Sequence, residues 1–180
     1  MVGWMNVTVG FIICQRITEL YIGRCNEKWA TKVGGQEFGK SHYPLFFLLH
    51  IGWLVGWVLE FHLNGAGISE GWYFWLSLFV LAQGLRYWCI ISLGQLWNTR
   101  ILVIPGMVRV KKGPYRFLNH PNYIAVAVEL FSVPLLFDAT ITAVFATLLN
   151  GALLLGIRIP EEEKALQLLR VSVGDSTSNS

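Results

Sequence analysis

PNYIAVAVELFSVPLLFDATITAVFATLLNGALLLGI, residues 121–157, is apolar over 37 residues. A single membrane-crossing helix needs about 20, so the run is too long for one crossing. Pro134 and Asp138 break it near the middle, because proline and the residue before it resist the helical interior. The stretch therefore reads as a helical hairpin, with spans 121–136 and 139–157. Its two outer ends are polar in an unusual way. On one side stands GPYRFLNHPNY, residues 113–123, where Pro114 and Pro121 restrict the backbone, Gly113 frees it, and Tyr115, His120, Asn122 and Tyr123 add rings and hydrogen-bonding groups. On the other side RIPEEE, residues 158–163, sets one cation and three carboxylates at the membrane edge. The two segments read as walls of one pocket.

The rest of the composition agrees with a membrane protein. Hydrophobic residues make up 54% of the 180, charged residues 14%, eight are Trp, and the mean hydropathy is +0.50, which is more apolar surface than a soluble core of this size buries. A net charge of +3, with no basic run interleaved with aromatics, gives no nucleic-acid footprint. Cys14, Cys25 and Cys89 have no metal-ligand or disulfide spacing, and His50 has no second ligand at such spacing, so no metal is expected. The first apolar stretch carries Arg16 and Glu19 where a cleavable leader needs small residues, and it reads as a retained helix.

Three further spans precede the hairpin, at 2–23, 43–63 and 72–93. Gln15, Arg16 and Glu19 share one face of the first, either as a local salt bridge at the interface or as the lining of a cavity. Residues 24–41 read as a loop with Gly34, Gly35 and Gly39 as breakers, and 101–110 as an extended segment. The loops at 24–41 and 94–119 and the C-terminal segment hold 4, 5 and 3 of the 14 Lys and Arg, two more lie within spans, and the remaining links hold none. By the positive-inside rule this places the N-terminus outside, with the C-terminus and both polar segments cytoplasmic. The fold class is thus an all-α integral membrane protein of about five transmembrane helices, one domain over 1–173, with a cytoplasmic pocket. Residues 161–170 read as a short amphipathic helix, and 174–180 as a disordered tail.

Gly113-Pro114-Tyr115, then His120-Pro121-Asn122-Tyr123, then Arg158-Ile159-x-x-Glu162-Glu163-x-x-Leu166 resembles the isoprenylcysteine carboxyl methyltransferase family in order and spacing. Gln15-Arg16-x-x-Glu19-Leu20 and Leu93-Gly94-x-x-Trp97-Asn98-Thr99 are similar to its bacterial branch that methylates type III polyketide alkylpyrones, which implies the bacterial cytoplasmic membrane. The resemblance implies S-adenosylmethionine bound without a Rossmann domain, and the chain has no dinucleotide-type glycine motif. Carried over by position, Met107, Val108, Arg109 and Val110 would lie along the adenosine, Tyr115 would pack on it, His120, Pro121, Asn122 and Tyr123 would hold the methionine end, and Glu162 its cationic or hydroxyl groups. Asn119 departs from the pattern, since the family commonly has Arg there; Arg116, one turn earlier, could substitute.

Arg158 is the expected catalytic and substrate-binding cation, because an anionic acceptor needs only a positive group to orient its oxygen. Glu129, inside the fourth span, either pairs with Arg86 or Arg16 or binds substrate along the acceptor tunnel. The leading function is a membrane O-methyltransferase whose lipophilic small-molecule acceptor enters from the bilayer, among membrane lipids, and resembles an alkylpyrone. A prenylcysteine carboxylate is the alternative acceptor. A scaffold or transporter using Arg16, Glu19, Arg86 and Glu129 as a relay is the alternative outside enzymes.

Overall fold

The computed structural model of the chain describes residues 1–107 and 109–178, the last ten as backbone only. Helix α1 is Val2–Lys32, strand β1 Gln36–Phe38, α2 Tyr43–Leu63, α3 Trp72–Leu93, β2 Ile101–Val103, α4 Pro121–Leu136, α5 Thr140–Leu153 and α6 Ile159–Ser178. The described chain is mostly helical. Three of its stretches, Lys40–Leu63, Trp72–Leu96 and Thr140–Leu168, are long and apolar enough to cross a membrane, and α4 is a shorter apolar helix. The chain is an integral membrane protein.

Proline placement sets the hairpin. Pro121 occupies the first turn of α4, where its missing N–H leaves no orphan. Pro134 lies inside the helix and cannot donate to Leu130, four residues back; the indole of Trp53 on α2 donates to that carbonyl instead, at 3.0 Å. Around this contact Trp57 stacks on Phe137 at 5.1 Å between ring centroids, and Phe61, Leu130 and Val133 complete a buried apolar core. Glu60 closes the same end of the bundle. Its carboxylate accepts from the backbone N–H groups of Ile141 and Thr142, each at 2.8 Å, and so caps the orphan donors of α5 from another helix.

A four-charge cluster joins α1, α3 and α4. Arg16 reaches Glu19 at 2.6 Å and Glu129 at 2.5 Å, while Arg86 reaches Glu19 at 2.9 Å and also pairs with Glu129. Gln15 and Gln83 donate to the two carboxylates. Each charge thus has two opposite neighbours, which is what burial of ionised groups in an apolar bundle demands.

Several boundaries differ from the sequence reading. Helix α1 does not end at Gly23 but continues to Lys32, where Gly34 and Gly35 fold the chain back; a side chain at Gly35 would meet the Ala30 carbonyl oxygen at 2.7 Å. The expected loop at 24–41 contains β1, which pairs antiparallel with β2, Gln36 opposite Val103 and Phe38 opposite Ile101. The extended segment expected over 101–110 is a strand only through Val103, since Pro105 and Gly106 turn the chain. Helical backbone continues through Ser178, whereas the sequence reading begins a disordered tail at 174.

Candidate active site

Strand β2 with the loop before it, parts of α1 and α2, the turn at 113–116, the N-terminus of α4 and the α5–α6 junction surround a cavity of about 320 Å3. That volume lies within the range of small-molecule sites. Gly113 sets the turn. Its φ is +53°, and a Cβ would fall 2.0 Å from Ser92 Oγ and 2.8 Å from Trp88 Nε1, so only glycine lets this backbone press against the end of α3. Tyr115 follows, with its phenol beside Cys89; burial above all pushes that phenol well above its ordinary pKa, so it remains neutral.

Between α5 and α6 the chain makes one π-helical turn, Leu154–Arg158. In an unbroken α-helix, residues four apart drift by about 40° around the axis, which would carry a long series off one face. The wider turn offsets part of that drift. Asn150, Leu154, Arg158, Glu162 and Leu166, each four residues after the last, all line the cavity. This one continuous rod is the site's longest wall.

Arg158 is fixed at three points. Its Nη2 donates to the Thr99 carbonyl at 2.8 Å, its Nε donates to the Tyr123 hydroxyl at 3.1 Å, and its guanidinium lies 5.6 Å from the centre of the Phe46 ring. The Tyr123 hydroxyl in turn donates to Glu162 Oε2 at 2.7 Å. His120 Nδ1 stands 3.8 Å from the same oxygen, and its ring stacks on Tyr123 with centroids 5.2 Å apart and planes 5° from parallel. The loop bearing Thr99 is itself pinned to α1, where Asn26 donates to the Trp97 carbonyl and Asn98 to that of Gly23. Arg100 holds Glu37 of β1 at 2.7 Å, and that hydrogen bond, foremost, raises its pKa.

The residues named from sequence divide into two groups. Tyr115, His120, Asn122, Tyr123, Arg158 and Glu162 face the cavity together. Met107 is exposed at the turn after β2, and it, Arg109 and Val110 lie outside the cavity lining, because the chain leaves the sheet after Val103. Val108 lies outside the described residues. Pro121 is buried and starts α4 without lining the cavity. Glu129 is not part of the lining either: it is fully buried and held by Arg16 and Arg86, two of the cavity's own lining residues. Of its two open readings, the pairing with Arg16 and Arg86 is the one present, and the substrate-binding role is corrected by it. Arg16 and Glu19 form a salt bridge with each other and are also part of the cavity lining. Arg109 reaches Asn119, its Nη2 donating to the Asn119 carbonyl at 3.0 Å, and Arg116 is exposed.

Sequence reasoning missed Thr99, whose contribution is a backbone carbonyl, and Asn150. The latter was open to discovery, since the four-residue repeat from 150 to 166 is visible in the sequence once Arg158 and Glu162 are singled out.

Residues 75–168 match the family model described as isoprenylcysteine carboxyl methyltransferase. The chain is similar to an uncharacterised protein of Bacillus subtilis, YpbQ, with 40% identity over 164 residues, covering 91% of this chain and 96% of that protein. It is also similar to an uncharacterised protein of Haemophilus influenzae, with 23% identity over 167 residues, covering 92% of this chain and 96% of that one. No solved structure matches.

Proposed function

The chain belongs to the isoprenylcysteine carboxyl methyltransferase family, and from that premise we propose that it is an S-adenosylmethionine-dependent O-methyltransferase for a lipophilic acidic acceptor of alkylpyrone type. The family makes it a membrane methyltransferase; the cofactor and the acceptor are our reading. The observation that carries it is the Arg158–Tyr123–Glu162 chain of hydrogen bonds, which puts a cation and a carboxylate on one wall of one cavity.

The residues present fit the cofactor. The hydrogen bond and the close His120 contact at Glu162 both fall on Oε2, and the side chain is partly open to the cavity, so the carboxylate can take a further cationic or hydroxyl donor. Asn122 Oδ1 is buried without a protein partner among the described residues, an acceptor that a bound ammonium or hydroxyl would satisfy. We therefore draw the cofactor site from Tyr115, His120, Asn122, Tyr123 and Glu162. When bound, S-adenosylmethionine supplies a methyl carbon on a positive sulfur, and the acceptor's anionic oxygen forms the new C–O bond as the C–S electron pair leaves with sulfur.

No proton need be moved for an acceptor that is already anionic, so the chain's own contribution is orientation and exclusion of water. Arg158, with its fork held by Thr99 and Tyr123, orients the acceptor oxygen. Phe46, Phe47, Leu154 and Val126 line the cavity with apolar surface suited to a lipid-soluble tail. The same reading takes α1 to α5 as five crossings, N-terminus outside, with the site at the cytoplasmic face.

The matched family's description favours a second acceptor, a prenylcysteine carboxylate, which is also a lipophilic anion. The test is to incubate the purified protein in nanodiscs with methyl-labelled S-adenosylmethionine and, separately, a long-chain alkylpyrone, a prenylcysteine and a bacterial lipid extract. Label in the pyrone supports the proposal. Label in the prenylcysteine alone selects the second acceptor, and label in none of the three overturns the enzyme reading in favour of a scaffold.

A further inference from the structure

Asn150 is the one neutral polar side chain on the α5 stretch of the cavity wall, eight residues and therefore about 12 Å of helix deeper than Arg158. It is 1% exposed, and neither its Oδ1 nor its Nδ2 meets a partner among the described residues. Several other buried polar atoms lack a partner among the described residues, Ser132 Oγ, Thr147 Oγ1 and Trp57 Nε1 among them, but the buried carboxylates are well met. Glu129 has three partners, Glu60 three donors, and even the carbonyl freed by Pro134 is met by an indole. Among the buried amides, Gln15 and Gln83 each keep their nitrogen on a carboxylate, whereas Asn150, lining the cavity, has both of its functions idle.

His50, also in the lining, keeps its Nδ1 on the Phe46 carbonyl at 2.7 Å. Leu20, Phe47, Val126 and Leu154 give the cavity apolar lining beside the ion-paired Arg16, Glu19 and Arg86. A plain hydrocarbon tail lying there would leave the amide stranded, whereas a hydroxyl or carbonyl on the tail would meet both a donor and an acceptor.

We propose that Asn150 is a specificity subsite that binds a second, uncharged polar group of the acceptor, roughly 12 Å from the oxygen oriented by Arg158. The acceptor is then not a simple lipid acid but one carrying a hydroxyl or carbonyl within its tail. This rests on the assignment of the cavity to a lipophilic acidic acceptor.

The experiment compares octadecanoic acid with a series of hydroxyoctadecanoic acids in which the hydroxyl is stepped along the chain, using wild-type protein and Asn150→Leu in nanodiscs. Binding is read by calorimetry, and methyl ester formation is followed in parallel with labelled S-adenosylmethionine. In the wild type, one window of hydroxyl positions should bind about tenfold or more tighter than the plain acid. In Asn150→Leu that preference should vanish while the plain acid binds at least as well as before. Equal binding of all the acids to the wild type overturns the subsite, a result that needs no variant. A positional preference that survives in Asn150→Leu overturns it as well. Ester formation without positional preference sinks the subsite and leaves the methyltransferase standing; positional binding without ester formation supports the subsite and counts against the enzyme reading.

Discussion

Arg158 and Glu162, one helical turn apart on a continuous rod, are joined through the hydroxyl of Tyr123, which accepts from the first and donates to the second. Tyr123→Phe removes that middle atom and leaves the ring stacked on His120. Both ends should loosen together, with cofactor Kd and acceptor KM each rising about tenfold to a hundredfold, the range for a hydrogen bond to a charged group. Calorimetry and steady-state kinetics on one preparation check this, and a change at only one end would contradict a shared hinge atom.

Glu162→Gln keeps the shape and removes the charge. The contact with a cationic cofactor should weaken by about 1.5–3 kcal/mol, as hydrogen bonds to charged groups do. Unchanged cofactor affinity in a folded variant would remove Glu162 from the cofactor's surroundings.

Arg158 should fail differently. In Arg158→Met the apolar stem remains but the cation is gone, so turnover should fall at least about a hundredfold through lost alignment while cofactor binding persists. Arg158→Lys should restore only part of the activity, because a point charge cannot hold Thr99, Tyr123 and an acceptor oxygen at once as a planar fork does. Full activity in the Lys variant would make Arg158 a membrane anchor only.

Gly113→Ala should collapse the turn against α3, since its Cβ would overlap Ser92 Oγ in a left-handed backbone. We expect a loss of about 1–3 kcal/mol in stability from overpacking alone, accompanied by weaker cofactor binding. Adding Ser92→Ala should recover part of the stability but not all, because Trp88 Nε1 remains close. Unfolding in mixed micelles of the single and double variants measures both effects.

Glu129→Gln leaves Arg16 and Arg86 sharing one carboxylate, Glu19. Removing one member of a buried charged network typically costs about 3–5 kcal/mol, and here it should lower stability without abolishing cofactor binding. If cofactor affinity fell and stability held, Glu129 would belong to the site after all.

Much of this was legible in the sequence where a physical rule acts locally. The proline and aspartate that split the 121–157 run did so at the expected residues, and the segments around His120 and Glu162 face the same cavity. What stayed hidden depends on contacts distant in sequence. No local rule says that Trp53 will replace the donor missing at Pro134, that Glu60 will cap α5, or that residues 36–38 will find 101–103 as a strand partner. Glu129 left two readings open because its role is set by which guanidinium arrives from α1 and α3. Met107, Arg109 and Val110 were placed by analogy of position, and the turn at Pro105 and Gly106 takes them past the cavity rather than along it.

The π turn at Leu154–Arg158 has a bearing on how two ligands from different solvents are brought into line. The rod that contains it begins in an apolar stretch and runs on into a charged one, so on the proposed reading a lipid-soluble acceptor and a water-soluble cofactor are gauged against the same stiff ruler. Catalytic alignment then requires no two bodies to close on one another. It is built into the winding of a single helix, so a change in that winding would move Arg158 and Glu162 together relative to Asn150.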